Sequence, residues 1–230
     1  MADPWGQAGT LGTGAGRGAG AQTPAALKPM TASVIFDLDD TLYDEIDYCR
    51  SGFAAVADFL ASVREVKVPA AEVAETFQRE FDSGNRTQTF NAALRGLGIA
   101  LDPPLISSLV RVYRAHAPKI RLPKDSRDGL AALQRTHSLA LLTDGYLPAQ
   151  RLKVRALGIS RFFRCILYTE QLGRPYWKPS PVGFVRVLEA LHVQPDQAAY
   201  VADNPLKDFI APNRLGMRSV QVARPLRLHR

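Results

Sequence analysis

Cysteine and histidine are scarce in this 230-residue chain. There are two cysteines, Cys49 and Cys165, and no CxxC pair. A disulfide scaffold and a thiolate metal site are thereby excluded, and the expected state is two thiols in a reducing cytoplasm. The four histidines, His116, His137, His192 and His229, form no metal-ligand spacing. No apolar run reaches the roughly 18 residues of a membrane helix, and no apolar segment resembling a secretory signal opens the chain. Neither a membrane partner nor secretion is expected.

The chain has a formal charge of +7, but its basic residues are scattered, apart from a small group at Arg224, Arg227 and Arg230. Scatter of this kind does not make a nucleic-acid stripe. No nucleic-acid partner is expected, whereas a small anionic ligand suits the charge. Hydrophobic residues make up 46% and charged residues 22%, as in a folded globular chain. Residues 1–29 differ, holding seven of the 17 glycines without any helical or strand period. They read as a flexible Gly/Ala-rich tail, with a transit peptide as the weaker alternative.

Short apolar runs alternate with helical patterns through the rest. The runs 33–37, 139–143, 165–168, 198–202 and 217–222 read as strands. Helices are expected over 126–136, 148–157, 181–191 and 206–215. Pro148 and Pro181 stand near two starts, and Gly158 and Gly216 after two ends. This alternation predicts an α/β fold: a Rossmann-like, doubly wound parallel sheet. Ligands in such sheets bind beyond the carboxyl ends of the strands. Between the first two strands, 45–64, 70–82, 86–96 and 104–116 read as four helices. Residues 44–118 are therefore expected as a helical cap, with 30–43 and 119–230 forming the core domain.

Four separated signals carry chemistry. Asp37-Leu38-Asp39-Asp40-Thr41 ends the first strand. Residues two apart on extended chain face the same way, so Asp37 and Asp39 can both face the cleft. Two adjacent carboxylates repel unless a cation lies between them, and a hard ion such as Mg²⁺ with oxygen ligands suits them. Thr143 ends the second strand, where its hydroxyl, helped by the backbone N–H groups of Asp144 and Gly145, can donate to a phosphoryl oxygen. Lys178 sits in the proline-stiffened loop Trp177-Lys178-Pro179-Ser180-Pro181. Asp203-Asn204-Pro205-Leu206-Lys207-Asp208 follows the fourth strand, adding one carboxylate for a metal and another that could orient Lys178.

In this order, the four motifs resemble the haloacid dehalogenase-like hydrolase superfamily over about residues 33–222, most closely its phosphatase branches with a helical cap. The resemblance implies that Asp37 is a nucleophile forming an aspartyl-phosphate, and Asp39 the general acid–base. It assigns phosphate binding to Thr143, Asp144 and Lys178, and the metal to Asp37, Asp39 through its carbonyl, and Asp203. Asn204 and Asp208 support these ligands. The superfamily's dehalogenases lack the second aspartate and need no metal, so Asp39 argues for phosphoryl transfer. One departure is Ala202, where glycine is frequent.

The resulting expectation is a Mg²⁺-dependent phosphohydrolase acting on a small phosphorylated metabolite, a sugar phosphate or nucleoside monophosphate. It would be a monomer or homodimer. A phosphate-binding regulatory module without turnover and a phosphotransferase or mutase are the alternatives. Tyr48, Arg50 and Arg86 read as surface residues unless one reaches the leaving group. Asp40 and Asp44 read as solvated or capping, and Thr41 as bonding its own loop.

Overall fold

A computed structural model describes residues 31–63 and 67–228. The tail reading of 1–29, His229 and Arg230 lie outside these residues. The five strands are β1 (Ser33–Phe36), β2 (Ser138–Thr143), β3 (Cys165–Tyr168), β4 (Ala198–Ala202) and β5 (Arg218–Gln221). They form one parallel sheet in the order β3-β2-β1-β4-β5. Winding runs outward from β1 to β3, then returns past β1 to β4. The reversal lies between β1 and β4, where doubly wound sheets open a crevice. Asp37 and Asp203 follow these two strands.

Period-two alternation assigns the sheet's two faces. Val34, Phe36, Leu139 and Leu141 pack with Leu130, Val154 and Leu157. These last three come from α5 (Lys124–Gln134) and α6 (Ala149–Leu157). Ile35, Ala140, Leu142 and Tyr200 face the other way, onto Phe184, Val187, Leu188 and Ala211. That layer is α7 (Val182–Leu191) and α8 (Ile210–Leu215). Ala202 belongs to it and is fully buried, so the methyl that replaces a frequent glycine is packed rather than strained. Gly158, at the left-handed φ of 65°, ends α6 where a side chain would be strained.

The segment between β1 and β2 contains α1 (Glu45–Ala61), α2 (Ala70–Asp82), α3 (Thr89–Gly96) and α4 (Pro103–Ala115). These helices bury an apolar cluster of their own, centred on Phe53, Val56, Leu60, Phe77, Leu94 and Leu109. Asp102 starts α4 by accepting a bond from Leu105 N at 3.0 Å. Two helix starts come later than expected. The 86–96 element begins at Thr89, whose hydroxyl bonds back to Asn85 O. The 206–215 element begins at Ile210, because Asn204 takes Leu206 N into a turn. Among the described residues no helix is long and apolar enough to cross a membrane.

Candidate active site

The polar residues that end β1, β2 and β4 meet in one cavity of about 650 Å³ between the sheet and the helical insert. Asp37 and Lys178 are both buried, and their Oδ1 and Nζ atoms lie 2.5 Å apart. The same ammonium lies 2.7 Å from Asp208 and donates to the Tyr200 hydroxyl at 3.0 Å. Burial pushes the Asp37 carboxyl up to about 6 and Asp208 pushes the same way, while Lys178 opposes both. Burial alone would lower the Lys178 pKa, but Asp37, Tyr200 and Asp208 hold it well above the usual lysine range.

Asp37, Asp203 and Asp208 each bring a carboxylate oxygen within 4.8 Å of the others. Asp203 Oδ2 is buried and has no hydrogen-bond partner among the described residues. Burial, with Asp37 and Asp208 beside it, raises this carboxyl to about 7. Crowded oxygen donors with one orphaned lone pair fit a hard divalent cation such as Mg²⁺.

The Asp39 carboxylate is held by side chains of its own. Asp39 lines the cavity with Asp37, but its carboxylate is not among the three that converge. The cation beside it is a lysine from α6. Lys153 Nζ lies 2.8 Å from Asp39 Oδ1, Tyr43 OH donates to the same oxygen at 2.5 Å, and Gln150 Nε2 donates to Oδ2 at 2.8 Å. Burial raises the Asp39 pKa, but Lys153 and these donors outweigh it and the net shift is downward. Each aspartate thus has its own lysine.

Lys153 and Gln150 were missed in the sequence. Both are buried in the stripe Ala149, Gln150, Lys153, Val154, Leu157, where helical spacing calls for apolar residues. Two polar residues in such a stripe were the available signal. Lys153 also approaches Glu45 at 3.4 Å and lies 4.1 Å from the Tyr48 ring centroid. Burial and Asp39 raise the Glu45 carboxyl to about 7.

Gln150 also donates to Thr143 Oγ1 at 2.7 Å and to Asp144 O at 2.6 Å. Thr143 Oγ1 itself donates to Asp144 O at 3.3 Å. Asp144 lines the cavity, and its carboxylate holds neighbouring loops. It accepts from Thr169 Oγ1 at 2.8 Å and from the Lys178 backbone N–H at 3.2 Å, pinning the lysine loop. Asn204 N donates to Asp208 at 3.1 Å, fixing the carboxylate behind Lys178.

Two smaller readings change, those of Tyr48 and Thr41. Tyr48 is buried and lines the cavity, whereas Arg50 is exposed and pairs with Asp47. Asp40 is buried and caps α1 by accepting from Glu45 N at 2.9 Å. Thr41 Oγ1 has no hydrogen-bond partner among the described residues, so its hydroxyl does not brace the loop.

Residues 34–222 match the family described as haloacid dehalogenase-like hydrolase. The chain belongs to that family. Its relatives include a glyceraldehyde 3-phosphate phosphatase of Methanopyrus kandleri, 30% identical over 85% of each chain. A phosphoserine phosphatase of Thermus thermophilus is 34% identical over 62% of this chain and 56% of its own. Among solved structures, a 2-haloacid dehalogenase from Pseudomonas syringae is 28% identical and superposes with a TM-score of 0.58. It covers 84% of this chain and 86% of its own. In this hydrolase the family match runs from the second residue of β1 to just past the end of β5.

Proposed function

We propose that this hydrolase cleaves a small phosphomonoester with Mg²⁺, through a phosphoryl group carried transiently on Asp37. The observation that carries the reading is the convergence of Asp37, Asp203 and Asp208 beside Lys178. A phosphatase needs a cation there to offset phosphoryl charge, and two relatives bear phosphatase names.

The chain's residues divide the work. Asp37, mostly ionised above pH 6, attacks phosphorus while the bond to the leaving oxygen breaks. Asp39 gives a proton to that oxygen, then takes one from the water that cleaves the Asp37 acyl phosphate, releasing inorganic phosphate. Lys178 neutralises charge on the transferring group, and Asp208 and Tyr200 keep its ammonium in place. Asp37, Asp203 and the Asp39 carbonyl would hold Mg²⁺, which when bound neutralises phosphoryl oxygen charge. Gln150 and Lys153 fix the Asp39 carboxylate for both proton steps.

Purified protein with Mg²⁺ is expected to hydrolyse p-nitrophenyl phosphate, and Asp37→Asn to abolish turnover. A wild type inert on a broad phosphoester panel with Mg²⁺ sinks the proposal.

A further inference from the structure

We propose that Arg114 holds a second anionic group of the substrate, so that the natural substrate is a compact phosphomonoester also bearing a carboxylate or a second phosphate. The inference rests on the phosphatase reading and narrows its substrate class.

Five cations line the cavity: Arg86, Arg114, Lys153, Lys178 and Lys207. Four have partners. Lys178 and Lys153 are held by aspartates. Lys207 lies 4.0 Å from Asp144, and Arg86 donates to Leu228 O at 2.7 Å. Arg114, in the last turn of α4, has no carboxylate or carbonyl partner among the described residues. It is not loose, however. Its guanidinium carbon lies 3.6 Å from the centroid of the Tyr146 ring, which comes from the loop after β2. Stacking fixes the plane of the group and leaves its N–H edge available for paired bonds to a carboxylate or phosphate.

The surroundings favour an anion at this place. A second guanidinium, Arg174, lies 5.2 Å from the same ring and 4.0 Å from that of Trp177, and it donates to the Tyr146 hydroxyl. Neither arginine takes part in an ion pair among the described residues. The acid of this cluster, Glu170, accepts from the Trp177 indole N–H at 3.1 Å. Two like charges beside one ring, with no carboxylate between them, repel each other until an anion joins them. Lys178 already serves the reacting phosphoryl group, and none of its contacts involves Arg114. A second group on the substrate therefore has its own anchor. The cavity of about 650 Å³ has room for several carbons between the two.

Matched substrates test this. 3-Phosphoglycerate and glycerol 3-phosphate differ in a carboxylate, and fructose 1,6-bisphosphate and fructose 6-phosphate in a second phosphate. Wild type is expected to prefer the doubly anionic member of one pair in kcat/KM, and the pair that shows it identifies the group. Arg114→Gln should cut that preference about tenfold, mainly through KM. Arg114→Lys, which keeps the charge but not the fork, should fall between. Thermal melting checks that both variants fold. Absence of preference in the wild type overturns the inference, as does equal loss on both members of a pair in the two variants. Wild-type turnover of p-nitrophenyl phosphate separates the layers: if it is present, such results sink only the Arg114 assignment, and if it is absent, the phosphatase reading falls and takes this one with it.

Discussion

Lys153 reaches out of α6 to lie 2.8 Å from Asp39, the aspartate two residues past the proposed nucleophile. It is buried, and Glu45 shares it at 3.4 Å. Removing one partner of a buried ion pair leaves an uncompensated charge, at a cost of about 3 kcal/mol. Lys153→Met should therefore lower stability by about that amount in urea titration. It should also cut kcat by about tenfold or more, because the Asp39 carboxylate loses the ammonium that orients it for proton transfer. Lys153→Arg should recover part of both. Unchanged kcat in a folded Lys153→Met protein would remove Lys153 from the proposed mechanism.

Mg²⁺ should stabilise the folded protein. At about a hundred times its Kd, an ion that binds only the native state adds about 2.7 kcal/mol. The melting temperature should rise with Mg²⁺ and fall back with EDTA. Asp203→Asn should lose this gain. It should also melt no lower than wild type in EDTA, since it relieves a carboxyl that burial and two neighbouring aspartates push to about 7. Retention of the full Mg²⁺-dependent rise in Asp203→Asn would contradict the assigned ion site.

His116 gives stability an acid limb. Its Nδ1 donates to Tyr113 O at 2.6 Å, and its Nε2 accepts from Ser51 Oγ at 2.8 Å. Burial, reinforced by Lys153, holds the imidazole pKa below its ordinary value although the Tyr113 carbonyl pulls it up. The unfolded chain thus takes a proton near pH 6.5 that the folded chain resists. The contribution of His116 is complete above that pH and is lost as pH falls through it. Denaturant titrations between pH 7.5 and 5.5 should show a shallower loss in His116→Gln than in wild type, and equal slopes would refute the assignment.

Gly145→Ala tests the Gln150 relay. Gly145 has a φ of 135°, and a Cβ there would lie 2.8 Å from Gln150 Cδ. The variant must strain its backbone and push Gln150 away from Asp39 and Thr143. A fall in kcat of about tenfold is expected, within the range for misplaced catalytic groups. A folded variant with wild-type kcat would show that Gln150 does not position Asp39.

The sheet was legible because four of its strands are short apolar runs with a polar residue at or just past the end, whereas β5, Arg218–Gln221, is exposed along its length. The site was half legible for the same reason: Asp37, Thr143 and Asp203 stand at strand ends. Lys153 was not, because Arg151, Lys153 and Arg155 alternate along α6 like a solvated face. Only the helical spacing of Ala149, Val154 and Leu157 turns Lys153 inward. The side-chain partners of Asp39 depend on that rotation, which the charge pattern along α6 conceals. Tyr48 was hidden similarly. It lies among charged residues in the chain, yet its ring covers the Lys153 ammonium in the fold.

Gly52 leaves α1 bare where it meets the ring of Tyr113, the residue before Arg114. A Cβ built there would lie 2.4 Å from Tyr113 Cε2. A single methyl at a position that does not itself line the cavity would force the Tyr113 ring, which does, to shift beside Arg114. Ligand preference in this enzyme can thus drift through the spacing of two helices, with every residue of the binding surface left as it is.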